Sequence, residues 1–538
     1  MNYTMDTLFS TLEHLQKRLE QLSSQADHVA LGLGVISTLT LATLYRNVIY
    51  NLYLHPLNKI PGPPVYRWIP FSGNLPEIFR GEPGAPYKQW AKKYGGILNY
   101  HGLLNRPRLL VSDGELLKQI LTTQASDFTK SPEVVKYLTR ILGDGLVVAE
   151  GELHRQQRKL LNPAFSVQAV QDMVPLMAIP GIQLCNKWIA CTSATPTEID
   201  VSHDLSLATL DIIGMAGFGQ EFRAVNQAGS KLTEAYMNIL PSEPSLMDFL
   251  VFLFPLLRKI PTQRHRELRR KERSLHESSR EVVEKGLGRT EKASDLLALM
   301  ADQVDEDTKQ GMTVRELQNQ CLTFLAAGHE TTSVALTWCL WLLAQNPEIQ
   351  KALREEITPV FDNIDFEDPR FNHPLDNSQW LHGEANIPSY NSINNLKLLN
   401  NVCKETLRLI PPISVISRYA KKDTMLGNYF IPKGSVIYIS TIANHHSTKV
   451  WGDDAEVFRP SRWDEERAAK VGPYHYMPFL AGIHQCIGYK FALMEMKVLL
   501  ALAIKNFEFA EKPGMQVKKY QTITLRPVNG MPLLVKRI

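Results

Sequence analysis

The sequence predicts a mainly α-helical protein with a minor β lobe, preceded by a single N-terminal transmembrane helix. Three observations carry that class. Helical periodicity dominates from about Gly151 to Gln350. Short β signals cluster at Ile97–Tyr100, Arg108–Val111, Tyr429–Pro432, Val436–Ser440 and around Asn529-Gly530. The run Val29–Tyr45 contains no charged residue.

Residues 1–27 are polar, with Asp6, Glu13, Lys17, Arg18, Glu20 and Asp27, and are expected to form a luminal segment. The uncharged run spans about 26 Å as a helix, slightly less than a bilayer core of roughly 30 Å. The deficit closes if Arg46 snorkels and Val48–Leu54 continues the apolar surface, giving an anchor and juxtamembrane stretch over 28–54. Gly32, Gly34, Ser37, Thr38, Thr40 and Thr43 keep its hydropathy modest, and the alternative is a buried core helix. Pro61-Gly62-Pro63-Pro64 cannot enter a helix or ladder and is expected to be a stiff joint to the globular body, 55–538. Within that body, Ile97–Tyr100 and Arg108–Val111 flank a turn and predict a hairpin, while Asp362–Asn391, rich in Asn, Asp and Pro, predicts a long surface loop.

With 44% hydrophobic and 21% charged residues, the 538-residue chain is globular material. A net charge of +4 is too small to imply a nucleic-acid partner. Cys185, Cys191, Cys321, Cys339, Cys403 and Cys486 lack paired spacings, which argues against a disulfide framework and against a zinc site.

Cys486 stands in Phe479-Leu480-Ala481-Gly482-Ile483-His484-Gln485-Cys486-Ile487-Gly488, just before a strongly helical stretch, Tyr489–Ile504. A sulfur there meets unpaired backbone N–H groups and the positive end of a helix dipole, which favour the metal-binding thiolate. Gly482 and Gly488 would let the backbone pass close to a flat macrocycle, and Phe479 would screen the sulfur from water. Alone, the residue is better explained as a buried structural cysteine.

Thr313 with Glu316 starts a long apolar helix as a capping box, and Asn346-Pro347 stops it. Its middle carries Ala327-Gly328-His329-Glu330-Thr331-Thr332-Ser333. Such a polar cluster weakens a buried helix unless it does something there. Gly328 would leave room for a flat ligand, Thr331 offers a hydroxyl to oxygen or water, and Glu330 a proton relay. A solvated face is the plainer alternative.

Glu405 and Arg408 lie one turn apart on a helix over Asn400–Leu409 that Pro411-Pro412 stops. The spacing alone says nothing, since Glu152–Arg155, Glu267–Arg270 and Glu277–Arg280 share it. It gains weight from Phe458-Arg459-Pro460-Ser461-Arg462-Trp463 downstream.

In this order, an AGxETT helix, ExxR, FxPxRW and FxxGxxxCxG, the chain from about Ile60 onward resembles the cytochrome P450 family, with HRQQRKLLNPAFS similar to fungal and long-chain-oxidising members. The resemblance implies one large helical domain with a small β lobe and haem b between two helices. It makes Cys486 the thiolate ligand, Thr331 and Glu330 the oxygen-activating pair, and Glu405, Arg408 and the Arg462 segment a structural network. Ala327, Phe479, Gly482 and Gly488 would flank the haem. Two departures stand out: His484 where the family has Arg, and His154 where it has Trp, four residues before Arg158. Arg158 and Arg418 are then the remaining propionate partners, with an imidazole hydrogen bond from each histidine.

The implied activity is monooxygenation, hydroxylating or epoxidising a lipophilic small molecule: a terpenoid or similar natural product, with a fatty acid second. Electrons would come from NADPH–cytochrome P450 reductase, with cytochrome b5 as a second donor. Of Arg155, Arg158, Lys159, Lys490 and Lys497, the exposed ones would form an acidic-partner dock, an ordinary solvated face being the alternative. The chain would sit in the endoplasmic reticulum membrane with its catalytic domain cytosolic. Leu246–Leu257 would dip into the bilayer or, equally well, pack in the core, and Arg264–Arg273 would be a solvated or phospholipid-facing helix. The stretches Phe128–Val148 and Phe324–Ala327 would line the pocket. A haem-thiolate isomerase or dehydratase, and a non-catalytic haem-binding membrane protein, are the rival classes.

Overall fold

A computed structural model describes residues 25–65, 71–193, 195–226, 263–288, 295–305, 309–364, 366, 371 and 386–538, the side chains of 25–30, 264, 265 and 268 aside. The apolar run Leu246–Leu257, most of the Asp362–Asn391 segment and residues 1–24 lie outside the described residues.

The long helices are α1 Gln25–Leu44, α2 Pro132–Leu142, α3 Gly151–Leu161, α4 Val174–Cys191, α5 Val201–Ile212, α6 Gln263–Leu287, α7 Val314–Ala344, α8 Pro347–Phe361, α9 Lys397–Leu409 and α10 Tyr489–Asn506. Helix α7 runs through the middle of the body, packed on α5, α6, α9 and α10. Its start is the expected capping box: Thr313 accepts from the Glu316 N–H while Glu316 Oε2 accepts from the Thr313 N–H at 2.8 Å. Pro347 opens α8, as suits a proline in the first helical turn. Leu322, Leu325, Leu336, Trp338 and Leu340 are all buried, so α7 is apolar around most of its girth.

The β lobe is a five-stranded sheet of order β1-β2-β8-β5-β3: β1 Ile97–His101, β2 Pro107–Val111, β8 Val436–Ser440, β5 Val415–Ala420 and β3 Phe128–Thr129. The expected hairpin forms as β1–β2, and β8 lies parallel to β2 with Leu109 beside Ile437. The Asn529-Gly530 signal marks a turn but no hairpin. Both residues have positive φ, yet β11 Leu525–Pro527 pairs with β10 Lys519–Gln521. Strand β12 Pro532–Arg537 instead joins β4 Thr197–Asp200 and β9 Phe507–Glu511. Asp200 is the cause: its Oδ1 accepts the Met531 N–H at 2.8 Å, and a Cβ on Gly530 would lie 2.3 Å from its carboxylate.

Helix α1 forms where the uncharged run predicts it, but among the described residues no helix is long and apolar enough to cross a membrane. Its glycines and hydroxyl residues are the reason. It is not a core helix either, because Leu33, Ile36 and Leu41 are 60%, 61% and 67% exposed. The chain continues as a π-helix, Tyr45–Leu54, that is bonded into the body. Asn51 Nδ2 donates to the Leu104 carbonyl at 3.1 Å and Asn105 Nδ2 to the Asn47 carbonyl at 3.0 Å, and Asn47 and Asn51 are buried. Val48–Leu54 therefore presents a polar seam to the body as well as an apolar outer face. Pro61-Gly62 lies on β1 instead of hanging free as a joint: the Asn99 N–H donates to the Pro61 carbonyl at 3.0 Å, and only a glycine fits at 62.

Candidate functional site

The segment ahead of α10 folds back on itself. The Cys486 N–H donates to the Phe479 carbonyl at 2.9 Å and Gln485 to Gly482 at 3.1 Å. Leu480 and Gly482 both hold positive φ inside this loop, a conformation a branched side chain adopts only under constraint. Gly482 is required for a reason the sequence does not reveal: a Cβ there would lie 2.0 Å from the Leu121 carbonyl oxygen. At Gly488 a Cβ would make ordinary contact with Phe165 at 3.5 Å.

The exposed surface of Cys486 faces a cavity of about 3390 Å³. Although the residue opens onto the cavity, desolvation by the surrounding walls pushes its thiol up from the ordinary value, while the Gly488 N–H and the Arg158 guanidinium pull the other way. The expected lowering by the helix start is thus present but outweighed by burial.

Phe324, Ala327, Thr331 and Thr332 of α7 form another wall of the same cavity, and Val134–Leu138 and Leu146–Val148 line it as expected. The Thr331 hydroxyl donates to the Ala327 carbonyl at 2.7 Å, one turn back, so its lone pairs remain to accept. Gly328 also borders the cavity, but its missing side chain makes room for Ile213, which a Cβ would meet at 3.2 Å. The bareness at 328 serves helix packing. Glu330 turns away toward the C-terminal strands: its Oε1 accepts from Thr524 Oγ1 at 2.6 Å and lies 3.9 Å from Arg526 Nη1.

At one side of the cavity stand Lys130, His154, Arg158, Arg418 and His484. Arg158 is braced by hydrogen bonds to the Gln485 carbonyl and to Asn162. Lys130 Nζ donates to the Ala149 carbonyl at 2.6 Å and lies 3.8 Å from Glu150, whose other oxygen is 3.7 Å from His484 Nε2. Burial and the neighbouring Arg418 push Lys130 down to about 8, and burial lowers both arginines. Buried Arg418 and half-buried Lys130 thus share one carboxylate, Glu150, with half-buried Arg158 close by. Haem b carries two carboxylates, and a cluster this short of negative charge fits them.

On α9, Glu405 and Arg408 are fully buried and joined by two 2.9 Å hydrogen bonds. Arg462 Nε reaches Glu405 at 2.7 Å and Trp463 Nε1 reaches it at 3.1 Å. Arg408 also donates to the carbonyls of His445 and Ala455. Of the other pairs at that spacing, Glu152–Arg155 is a 3.6 Å surface contact, and Arg280 pairs with Glu284 instead of Glu277.

The basic dock loses two members. Lys497 is buried and donates to Asn394 Oδ1 at 2.7 Å, and Arg158 faces the cavity. Arg155 is exposed, and Lys159 pairs with Asp305 at 3.3 Å. Arg266, Arg269 and Arg270 of α6 are exposed, which suits a solvated and a phospholipid-facing helix alike. Lys130, Glu150, Thr524 and Arg526 are site residues that sequence reasoning missed. No motif marks them: Lys130 lies within the expected lining stretch Phe128–Val148 and Glu150 just ahead of α3, while Thr524 and Arg526 come from the C-terminal β10–β11 hairpin.

The cytochrome P450 family model matches residues 61–533. The chain is 32% identical to cytochrome P450 monooxygenase 205 of Postia placenta, over 95% of this chain and 98% of that protein. It is 32% identical to cytochrome P450 monooxygenase sphH of Aspergillus fumigatus, over 91% and 90%, and 30% identical to a cytokinin hydroxylase of Arabidopsis thaliana, over 84% and 82%. The chain belongs to the cytochrome P450 family of haem-dependent monooxygenases, in which a cysteine thiolate ligates the iron.

Proposed function

We propose that this protein is a membrane-anchored haem-thiolate monooxygenase in which Cys486 supplies the thiolate. The observation that carries this reading is that Cys486, Thr331 and the Lys130–Arg158–Arg418 cluster, from separate parts of the chain, border one cavity. When bound, haem supplies the oxygen chemistry: substrate RH, O2, NADPH and one proton become ROH, water and NADP+.

The chain's own residues do the rest. Lys130, Arg158, Arg418 and the two histidines hold the haem carboxylates. Phe479 and Phe324 keep water from the sulfur and the reacting centre. Thr331 holds a water by its free lone pairs, and Glu330 passes a proton toward it. The substrate is lipophilic, because Val134, Val148, Ile413 and Ile416 give the cavity apolar walls; a terpenoid or other natural product comes before a fatty acid on the likeness to fungal monooxygenases.

The division is a luminal 1–27, an anchor over 28–54 and a haem domain from 55. Support for the anchor comes from the exposed leucines of α1 and from Thr38 and Thr40, whose hydroxyls are satisfied by carbonyls one turn back at 2.8 Å. NADPH–cytochrome P450 reductase, with cytochrome b5 as a second donor, docks over Arg155, Lys159 and Lys490 on the cytosolic face of the endoplasmic reticulum. The test is metabolite profiling of cells expressing the chain with a reductase, against Cys486→Ala. A new product that needs reductase and Cys486 supports the reading. Peroxide rearrangement without reductase would establish an isomerase or dehydratase instead.

A further inference from the structure

Glu330 is fastened to a segment that also borders the cavity. Thr524, 1% exposed, donates its hydroxyl to Glu330 Oε1 at 2.6 Å, and Arg526 brings a positive charge to 3.9 Å. The segment itself is fixed. The Leu525 carbonyl accepts from Trp338 Nε1 of α7 at 2.7 Å, and the Leu525 N–H donates to the Pro412 carbonyl at 2.8 Å. Thr522, Ile523 and Arg526 line the cavity. A short charge-assisted hydrogen bond from a buried hydroxyl restricts a carboxylate to one rotamer, and here it holds the Glu330 carboxylate on the C-terminal strand segment that borders the cavity.

We propose that Thr524 and Arg526 are positioning residues for Glu330, setting where its carboxylate stands for proton delivery to the Thr331 side of the cavity. This rests on the reading of Glu330 as the proton-relay acid. Thr524 acts through its donor hydrogen, so the shape of the side chain alone does not suffice. Arg526 acts through its charge.

The experiment uses full-length, haem-loaded protein as wild type, Thr524→Val, Thr524→Ser, Arg526→Gln and Glu330→Gln. The first readout is infrared: the carboxylate stretch that disappears in Glu330→Gln is assigned to Glu330. The second is the share of NADPH electrons released as peroxide under reductase without added substrate, with the solvent isotope effect on NADPH consumption. Thr524→Val is expected to shift the Glu330 band and to raise the peroxide share severalfold. Arg526→Gln should do so to a smaller extent, and Thr524→Ser should restore both to wild type. An unshifted band and an unchanged peroxide share in both Thr524→Val and Arg526→Gln would overturn the positioning role. If Glu330→Gln itself leaves peroxide share and isotope effect unchanged, the relay reading falls and takes this proposal with it. If only Glu330→Gln has an effect, the relay stands and the positioning role alone is lost.

Discussion

The imidazoles of His154 and His484 face each other, Nε2 of the first 3.3 Å from Nδ1 of the second, with ring centroids 4.3 Å apart. These are the two positions at which the sequence departs from the family pattern, and they touch. Burial, with the nearby Lys130 and Arg158, pushes His154 down to about 4; burial with Lys130 and Arg418 pushes His484 to about 3. Both rings are therefore neutral, one donating to the other. A single return to the family residue should disturb this contact, and a double return should repair it. His154→Trp and His484→Arg are each expected to hasten haem transfer to apomyoglobin. The double variant should recover part of the loss, with a coupling of about 0.5–3 kcal/mol. Strictly additive effects would mean that the contact has no energetic consequence.

Breaking the α9 network should be costly. Glu405→Gln leaves Arg408 buried without its counter-charge and Arg462 with Asp454 alone, at 3.3 Å, an expected loss of about 3–5 kcal/mol read by chemical denaturation. Glu152→Gln, at the same spacing in a surface pair, should stay within about 0.5 kcal/mol of wild type. Equal effects from the two would contradict the assignment of the stabilising role to burial.

The two glycines of the cysteine loop should separate sharply. Gly482→Ala drives a Cβ into the Leu121 carbonyl at positive φ, whereas Gly488→Ala makes an ordinary contact. The first is expected to abolish stable haem incorporation and the second to keep most of it, measured by the ratio of Soret to protein absorbance.

Glu495 of α10 is buried, and burial pushes its carboxyl up to about 8 against the opposing pull of the Thr332 hydroxyl. The folded protein thus holds a proton that the unfolded chain releases near 4.5. Stability from this group is fully present below that value and is lost as pH rises through about 8. Glu495→Gln should flatten the decline and make the variant the more stable by a few kcal/mol at the alkaline end, with little difference at the acid end. Denaturation curves across that window check it, and parallel profiles would contradict it.

Much of this site was legible because family motifs are local. Cys486 before α10, Thr331 on α7 and the Glu405–Arg408 turn each depend on spacing within one element, which the sequence states directly. The capping box at Thr313 and the β1–β2 hairpin are equally local. What escaped depends on contacts between distant segments. Lys130 and Glu150 meet in space from the ends of two loops, and Thr524 reaches Glu330 across almost two hundred residues. The packing constraints on two glycines escaped for the same reason. Gly482 and Gly328 are small because Leu121 and Ile213 press on them, neither of which is near them in sequence. Asn529-Gly530 has the chemistry of a hairpin turn, but Asp200 redirects the chain that follows. The apolar stretch of α1 could be counted, while the polar seam of Asn47 and Asn51 showed itself only when the body was in place.

The most direct test of a thiolate at Cys486 is the absorption of the reduced, carbon monoxide-bound protein. Wild type should show the strongly red-shifted Soret band peculiar to thiolate ligation, and Cys486→His should retain haem while losing that band. A folded, haem-loaded wild type without the shifted band, or a Cys486→His variant that keeps it, would contradict ligation by this residue.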